Sequence, residues 1–326
     1  MKAVLQREFG GPEVLYVGET EVPEPAAGQL RVSVAATTVN RADCVQRVGN
    51  YPPPPGESPI LGLEVAGTVD ALGPGVAGFE IGERVMSLVG GGGYAAHAVA
   101  HASHVMRIPE QLDFHQAACV CETYITAFLN IFLLGGFTDG ETVLIHGGGG
   151  GVNTSAIQLC RTLTPQSTVL VTASTGKVDR VRALGADHVI DYRNQDFAEA
   201  VASITGKRGV DVILDHLGAA YLTRNLRSLA RGGRLVIIGL MGGAKSEINL
   251  GLLMVKRQRI IGSVLRSRSV EDKAAIVREF RVRVLPLFEQ GRIEPLIHAV
   301  MPLEEAAAAH RMMESSAHFG KIVLAV

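Results

Sequence analysis

The chain has 326 residues, 47% of them hydrophobic and 19% charged, and its 31 basic and 32 acidic side chains leave a formal charge of −1 at pH 7. This composition is typical of a globular protein long enough for two domains, and it excludes a general electrostatic attraction to nucleic acid or to an anionic membrane. Its four scattered cysteines form no C-x-x-C pair, and no apolar run reaches the roughly 20 residues that span a bilayer, so a cytoplasmic protein is expected.

The first third of the chain contains short, Val-rich segments separated by Gly, Pro and polar clusters, a pattern that predicts antiparallel β structure. The segments read MKAVL, VLYVGE, QLRVSVAATTV, VAGTVDAL, RVMSLV and YAAHAVA. Residues 50–59, NYPPPPGESP, form neither a helix nor a central strand, because four consecutive prolines lack N–H groups. We expect an ordered surface loop there; the alternative is a peptide ligand for a partner domain.

From residue 117 onward the pattern changes. AACVCETYITAFLNIFLL has helical periodicity, and it is followed by apolar runs that alternate with amphipathic segments. The six apolar runs read TVLIH, TVLVTA, HVIDY, DVILDHL, RLVIIG and RIIGSVL. Such alternation predicts a parallel sheet covered on both faces, as in a doubly wound dinucleotide-binding domain. The tail from residue 267 predicts one long helix and a closing helix and strand. The fold class is therefore α/β, with a β-rich domain interrupted by a doubly wound one.

Five consecutive glycines, Gly147 to Gly151, separate the first of these strands from the helix that follows. Glycines at such a turn let the backbone approach a pyrophosphate, and the helix N-terminus offers unpaired N–H groups. No frame gives a complete G-x-G-x-x-G/A, because the third position falls on Val152, Asn153 or Thr154. The position of the turn within the strand and helix alternation nevertheless predicts a dinucleotide site.

The end of the second strand indicates which dinucleotide. An acidic residue there usually binds a free ribose 2′-hydroxyl, but this strand ends in Ser174-Thr175-Gly176-Lys177. Hydroxyls and a lysine suit a 2′-phosphate, so NADPH is favoured over NADH. Tyr192 and Arg193, after the third strand, are further candidates for the phosphate. The alternative for Lys177 is a solvated charge in the first turn of a helix.

Several segments together resemble the zinc-independent quinone oxidoreductase branch of the medium-chain dehydrogenase/reductase superfamily. They are NRADCVQRVGNYPPPPG (40–56), ILGLEVAGTV (60–69), ETYITAF (122–128), IHGGGGGVNTSAIQL (145–159), LMGG (240–243), GSVLRSR (262–268) and FGKIVL (319–324). The proline-rich loop and the LRSR segment are most similar to the p53-inducible quinone oxidoreductase subgroup. The resemblance implies a GroES-like catalytic β domain (1–121 and 267–326), an NADPH-binding Rossmann domain (122–266) and a homodimer.

The resemblance also sets the frame of the glycine turn as Gly147-x-x-Gly150-x-x-Asn153, in which Asn153 replaces a third glycine. Asn153→Gly is then expected to preserve or tighten NADPH binding. The cofactor contacts that the resemblance and the strand ends imply are Thr126, Gly147, Gly150, Gly151, Val152, Ser174, Lys177, Tyr192, Leu217, Gly239, Leu240, Met241, Gly242, Val264, Leu265 and Arg266.

Zinc-dependent relatives place a cysteine near position 40 and a G-H-E near positions 62–64. This chain has Asn40 and Gly62-Leu63-Glu64, and it has no cysteine cluster near its hundredth residue. Because zinc needs three or four converging N, S or O ligands, no metal site is predicted. His97, His101 and His104 are interpreted as part of a solvated β edge and turn.

Without a metal, the protein contributes substrate positioning, water exclusion and hydrogen-bond donors to the reaction. By resemblance, the catalytic cleft wall is drawn from Asn40, Asp43, Gln46 and Tyr51. Tyr51 is expected to donate a hydrogen bond to the substrate or to stack on it, and Asn40 to orient nicotinamide or substrate. The alternatives are that Tyr51 anchors the proline loop and that Asp43 caps a helix or pairs with an arginine.

The predicted function is NADPH-dependent hydride transfer to a quinone or a related conjugated carbonyl, a small-molecule partner. One alternative is reduction of an α,β-unsaturated thioester, as in enoyl reductases. Another is an NADPH-binding protein with a structural or RNA-binding role. Residues 256–283 contain nine basic and only three acidic side chains, an excess that could attract an RNA backbone. These charges have little aromatic interleaving for base stacking, so nucleic acid is not the expected partner.

Overall fold

The computed structural model describes residues 1–326 and separates into two compact units. Unit 1 comprises Met1–Ile125 and Leu265–Val326, and unit 2 comprises Thr126–Val264. The predicted boundaries at 121/122 and 266/267 lie within a few residues of these. No helix is both long enough and apolar enough to cross a membrane.

The N-terminal part of unit 1 is rich in strands, as its turn-punctuated sequence predicts. Its elements are β1 (Lys2–Gln6), β2 (Leu15–Glu19), β3 (Gln29–Val39), α1 (Arg41–Arg47), β4 (Glu64–Leu72), β5 (Arg84–Leu88), β6 (His97–His101), β7 (Val105–Arg107), α2 (Phe114–Ala117) and α3 (Cys121–Phe128). Residues 51–59 form turns and irregular loop, as expected of a proline-rich segment.

Helix α3 continues as one π-helical segment over Leu129–Leu134, after which unit 2 alternates strands and helices. The elements of unit 2 are β8 (Thr142–His146), α4 (Gly151–Leu163), β9 (Thr168–Ala173), α5 (Val178–Ala183), β10 (His188–Asp191), α6 (Phe197–Ile204), β11 (Val210–Asp215), α7 (Leu222–Ser228), β12 (Leu229–Ile237), α8 (Leu250–Lys256) and β13 (Arg259–Gly262). All six predicted strands are confirmed.

The six strands of unit 2 form one parallel sheet in the order β10-β9-β8-β11-β12-β13. Numbered within the sheet, this is 3-2-1-4-5-6, the strand order of a doubly wound dinucleotide-binding domain. Its central strands are buried on both faces, with Leu144, Leu170 and Ile213 in one core, which explains their continuous apolar sequence. The carboxyl ends of all six strands lie at the same edge, where ligands of this fold class bind.

The chain then returns to unit 1 with α9 (Val270–Arg283), α10 (Leu285–Glu289), β14 (Ile297–Pro302), α11 (Ala306–Ser315) and β15 (Lys321–Ala325). The predicted long helix is α9, and the short helix α10 that follows it was not predicted. Pro286, in the first turn of α10, has no N–H to continue the hydrogen bonding of α9. The predicted closing pair of helix and strand is confirmed as α11 and β15.

The main sheet of unit 1 runs in the order β14-β15-β3-β4-β5-β7, with β6 also paired to β3, while β1 and β2 form a separate pair. Strand β15, from the far end of the chain, pairs antiparallel with β3. The unit therefore combines both chain ends in one β-rich body. The α/β fold, a GroES-like domain interrupted by a doubly wound one, is as the sequence predicts.

Candidate cofactor and substrate sites

The glycine turn of unit 2 joins β8 to α4 at the ligand-binding edge of the sheet. Gly147 has a φ of +79°, in the left-handed region, which few other residues adopt. Its N–H donates to Thr172 Oγ1 at 3.0 Å, and the next N–H donates to the Thr172 carbonyl at 2.8 Å. Gly150 is the N-cap of α4 and has no capping side chain, so the first N–H groups of the helix are open to an anion.

Asn153, at the third position of the predicted glycine pattern, is buried in the first turn of α4. Its Nδ2 donates to the carbonyl of His146, the last residue of β8, at 2.6 Å. The side chain therefore ties the helix to the end of the strand. This geometry argues against the expectation that glycine would be equally good at position 153, because glycine would leave the His146 carbonyl without this donor.

His146 itself belongs to a buried network beneath the turn. Its Nε2 lies 2.7 Å from Asn225 Oδ1 and its Nδ1 lies 3.2 Å from Thr172 Oγ1. Burial lowers the pKa of His146 to about 3, so the ring is neutral, with Nε2–H donating to Asn225 and Nδ1 accepting from Thr172. The Thr172 hydroxyl in turn accepts from Gly147. The network thus fixes the backbone of the glycine turn.

Lys177 lies over the glycine turn. A Cβ atom placed on Gly149 would lie 2.8 Å from Lys177 Nζ and 2.6 Å from its Cδ, so the lysine side chain lies directly against this glycine. Burial, and secondarily Arg180, lowers the pKa of Lys177 from its ordinary value. Lys177 N donates to the Ser174 carbonyl at 2.8 Å, and half-exposed Tyr192 follows β10 at the same sheet edge. A cation and a phenol therefore lie at this edge of the sheet.

One acidic residue near this position was not identified from the sequence. Asp191 ends β10 and its carboxylate accepts from Arg193 N at 3.1 Å and from Asn194 Nδ2 at 2.7 Å. A hydrogen bond from Thr175 is the main reason that the pKa of Asp191 is lowered. The carboxylate is therefore engaged by its own loop, and it lies on the third strand rather than on the second, where a ribose-binding acid is expected.

The turns after β11 and β12 form a paired structure at the same edge of the sheet. Gly242 N donates to the Leu217 carbonyl at 2.7 Å, and Met241 N donates to the His216 carbonyl at 3.0 Å. A Cβ atom on Gly242 would lie 2.8 Å from that Leu217 oxygen, which explains the glycine. The predicted residues Leu217, Gly239, Leu240, Met241 and Gly242 are thus brought together, and Leu240 and Met241 are exposed.

Thr126 and Val264, two further predicted cofactor contacts, are the end residues of unit 2. Thr126 Oγ1 is buried and has no hydrogen-bond partner. Val264 is exposed. An orphaned buried hydroxyl is a feature that a bound polar group would satisfy.

Leu265 and Arg266 were predicted among the cofactor contacts within the Rossmann domain, but both belong to unit 1. Arg266 is only 6% exposed. Its Nε donates to the Gly90 carbonyl at 2.7 Å, its Nη1 donates to the Tyr51 carbonyl at 3.3 Å, and its guanidinium lies 5.2 Å from the centre of the Tyr51 ring. Arg266 therefore anchors the proline loop within unit 1.

Asn40 lies in a fully buried polar cluster of unit 1. Lys321 Nζ donates to Asn40 Oδ1 at 2.6 Å and to Glu64 Oε1 at 2.9 Å. Asn40 Nδ2 donates to the same Glu64 oxygen at 3.2 Å, and the Thr38 hydroxyl donates to it as well. Asn40 and Glu64, both in segments compared above with the zinc-site pattern, here surround an ammonium group.

Asp43 was predicted on the cleft wall, but its carboxylate is completely buried and serves the backbone. Oδ2 accepts from Asn40 N at 2.7 Å and from the Tyr94 hydroxyl at 3.3 Å, while Oδ1 accepts from Gly62 N at 3.1 Å. Burial raises the pKa of Asp43 to about 6 despite these donors. Asp43 therefore caps α1 from within its first turn by accepting from the N-cap residue Asn40, the alternative that the sequence left open.

Tyr51 lies at the start of the proline loop, and Gln46 of α1 contacts its other end. Gln46 is buried and its Nε2 donates to the Pro59 carbonyl at 3.0 Å, while its Oε1 has no partner. Tyr51 is half-buried, and burial raises the pKa of its hydroxyl to about 12. Tyr51 therefore keeps its proton at neutral pH and remains a hydrogen-bond donor.

Unit 1 encloses a polar cavity of about 60 Å³ whose lining includes Glu57, Glu122, Arg266 and Lys273. Glu122, near the start of α3, was not singled out from the sequence, although a lone acid in the apolar run AACVCETYITAF is a signal for a buried carboxyl. Burial, and then the nearby Glu64, raises the pKa of Glu122 to about 8. The cavity therefore holds a carboxylic acid that is neutral at pH 7.

The structure contains no group of three or more His, Cys, Asp and Glu side chains arranged to hold a metal ion. Of the histidines near position 100, His104 is buried rather than solvated. Its Nε2 lies 3.0 Å from the Val270 carbonyl, and burial lowers its pKa to about 4. His104 therefore acts as a neutral hydrogen-bonding residue against α9.

Comparisons with known proteins agree with this architecture. Residues 26–110 match the family described as alcohol dehydrogenase GroES-like domain, and residues 184–324 match the family described as zinc-binding dehydrogenase. A quinone oxidoreductase from Lama guanicoe is 35% identical over 99% of this chain and 97% of its own length.

Two solved structures are similar over essentially their whole lengths. The Escherichia coli quinone oxidoreductase complexed with NADPH has a TM-score of 0.90 and 28% identity, covering 100% of both chains. The CurK enoyl reductase has a TM-score of 0.88 and 27% identity, covering 99% of this chain and 98% of its own. Because it is 35% identical to a quinone oxidoreductase over nearly the full length of both chains and matches both families, this chain belongs to the quinone oxidoreductase branch of the medium-chain dehydrogenase/reductase superfamily.

Proposed function

We propose that this protein reduces a quinone or a related conjugated carbonyl with NADPH and without a metal. The observation that carries the proposal is the Lys321 ammonium, which lies 2.6 Å from Asn40 and 2.9 Å from Glu64 in the interior of unit 1. An ammonium at this place repels a divalent cation and already satisfies the oxygens that would bind one. Alcohol chemistry gains most from a Lewis acid, whereas a conjugated carbonyl delocalises the charge that it acquires.

The residues of unit 2 fit NADPH. The glycine turn and the uncapped start of α4 suit the pyrophosphate, Lys177 over Gly149 suits the 2′-phosphate, and the orphaned Thr126 hydroxyl suits a polar group of the nicotinamide half. Bound NADPH would supply a hydride, that is two electrons and one proton, to the substrate. The NADPH complex of the Escherichia coli relative supports this choice of cofactor.

In unit 1, Tyr51 is the proposed hydrogen-bond donor to the substrate oxygen, or an aromatic surface for its ring. Asn40 and Gln46 are proposed to position this site: Asn40 through the Lys321 cluster, Gln46 through the end of the proline loop. Asp43 acts only as the cap that fixes α1 beside them.

Titration by NADPH fluorescence, followed by a panel of quinones, tests the proposal. We expect NADPH to bind more tightly than NADH and to be oxidised by an ortho-quinone. A clear preference for NADH would refute the cofactor assignment. Enoyl thioester reduction is the second candidate, favoured by the similarity to the CurK enoyl reductase. A crotonyl thioester in the same assay separates the two substrates.

We also propose a homodimer that forms through unit 2. Strand β13 is the last strand of the six-stranded sheet and pairs only with β12. Helix α8 before it exposes Leu250, Met254 and Val255, with Met254 73% exposed. An open strand edge beside exposed apolar side chains is a surface that a second copy would cover.

RNA binding has less support. Among the nine basic residues between 256 and 283, Arg266 and Lys273 are buried, and Lys256 Nζ donates to the carbonyls of Arg227 and Leu229. The basic residues therefore do not form one continuous surface. A cytoplasmic location agrees with four cysteines that are all buried and unpaired. RNA retention that survives modest salt would contradict the conclusion that the protein does not bind RNA.

A further inference from the structure

The side chain of Glu122 enters the polar cavity of unit 1 without a partner. Its backbone N–H donates to Glu64 Oε2 at 2.7 Å, which fixes the start of α3, but its carboxyl has no hydrogen bond or ion pair. Glu122 is half-buried and lines the cavity, so a carboxyl without a protein partner there is open to a ligand. The fold thus holds a free carboxyl at a defined position.

Arg266 contributes a second unsatisfied group to the same cavity. Two of its nitrogens are engaged by the carbonyls of Gly90 and Tyr51, but its buried Nη2 has no partner. An unpaired guanidinium N–H at the wall of a cavity is suited to a carbonyl or oxyanion. A proton source and an oxygen-binding donor therefore line one cavity.

Several other titratable groups lie around Glu122, and most of them are engaged in hydrogen bonds. Lys321, Glu64 and Asp43 are engaged in buried hydrogen bonds. Lys273 Nζ donates to the Arg266 carbonyl at 3.3 Å, His104 bonds to Val270, and His101 bonds to Ser103. Tyr51 has a pKa of about 12. Glu57, on the proline loop, lines the same cavity. Glu122, with a pKa of about 8, is matched to proton donation at pH 7.

We propose that Glu122 donates a proton to the oxygen of the reduced substrate, while Nη2 of Arg266 donates a hydrogen bond to the same oxygen. This inference rests on the proposed reduction. Reduction of a conjugated carbonyl by two electrons and one proton, delivered to carbon, leaves one negative charge on its oxygen. A new O–H bond forms there as the O–H bond of Glu122 breaks, and its electron pair stays on the carboxylate. The carboxylate then takes a proton from water. NADPH is oxidised and the substrate is reduced, so electrons and protons balance.

Glu122→Gln tests this role, because it keeps the size and polarity of the side chain but removes the acidic proton. We expect kcat with an enone or quinone to fall roughly 100-fold, the lower range for general acid catalysis, with NADPH affinity unchanged. The wild-type rate should decline as pH rises through about 8, where Glu122 ionises, and the variant should lack this decline. Glu122→Asp should recover part of the rate together with the pH dependence. Exposed Glu110→Gln, also in unit 1, is the matched control.

Infrared spectroscopy gives a readout independent of turnover. The wild-type protein at pH 7 should show a protonated carboxyl band that disappears above about pH 8 and is missing from Glu122→Gln. Wild-type turnover with an unchanged rate and pH profile in Glu122→Gln would overturn this inference and leave the proposed function standing. Absence of NADPH oxidation by any quinone or enone in the wild type would overturn both. Loss of the folded state in Glu122→Gln would be detected by its unfolding curve, and Glu122→Asp then decides the question.

Discussion

Lys321 Nζ lies 2.9 Å from Glu64 Oε1, and both side chains are almost completely buried, Lys321 at 5% and Glu64 at 0% exposure. The two residues are 257 positions apart in the chain. Their pairing joins the first residue of β15 to the first residue of β4. It therefore links the returning C-terminal segment to the N-terminal sheet of unit 1.

Lys321→Met should strongly destabilise unit 1, because it leaves the Glu64 carboxylate buried without its cation. Removing one partner of a buried pair costs roughly 3–5 kcal/mol. Denaturant unfolding measures the change in the free energy of unfolding. The double variant Glu64→Gln/Lys321→Met should regain much of the loss, since no charge is then left unpaired. Equal stability of Lys321→Met and wild type would contradict the account.

Asn153→Gly should lower the free energy of unfolding of unit 2 by about 1–2 kcal/mol, through the lost hydrogen bond to the His146 carbonyl and the flexibility of glycine in α4. NADPH should also bind more weakly, because the glycine turn is less firmly held. Asn153→Asp is the matched comparison: it keeps the side-chain shape but cannot donate. Unchanged or tighter NADPH binding in Asn153→Gly would support the expectation drawn from the glycine pattern instead.

The contrast at position 153 shows where sequence reasoning reaches its limit. The six strands of unit 2 were predictable because strands buried on both faces are continuously apolar, and the glycine turn was predictable from its place between strand and helix. The acceptor of the Asn153 amide was not, because it depends on the exact approach of α4 to β8. The Asn40-x-x-Asp43 spacing did contain a capping signal, and the sequence left that alternative open.

Contacts between residues far apart in the chain also could not be predicted from the sequence. Nothing in one sequence pairs Lys321 with Glu64 or Arg266 with the Gly90 carbonyl. Glu122 was overlooked because the segment around it is helical and apolar, and its free carboxyl is visible only once the cavity is formed. The predicted similarity to the p53-inducible subgroup stays a prediction.

Lys177→Met should weaken NADPH binding by roughly 10-fold to 100-fold, because a charge-assisted hydrogen bond is worth about 1.5–3 kcal/mol. NADH, which lacks the 2′-phosphate, should bind the variant and the wild type equally. Fluorescence titration with both cofactors checks this. Arg182→Met removes an exposed cation of the neighbouring helix α5, paired with Asp179, and should leave both affinities unchanged. An equal loss for NADPH and NADH in Lys177→Met would argue against a 2′-phosphate contact.

Met254→Glu should convert the proposed dimer to a monomer, because it places a charge on the apolar face of α8. Light scattering after size-exclusion chromatography reports the mass directly. Val282→Glu, at a valine of α9 that is 77% exposed in unit 1, is the control for adding a charge to an exposed apolar position. A monomeric wild type, or a dimer that persists in Met254→Glu, would contradict an interface on α8.

The central claim is metal-free reduction of a conjugated carbonyl by NADPH. The most direct test is to measure kcat/KM for an ortho-quinone before and after exhaustive chelation of metals, and to measure kcat/KM for a crotonyl thioester in the same assay. The account predicts that NADPH oxidation by the quinone is unaffected by chelation and exceeds that by the thioester. Activity that disappears on chelation and returns with zinc would contradict it, as would a preference for the thioester.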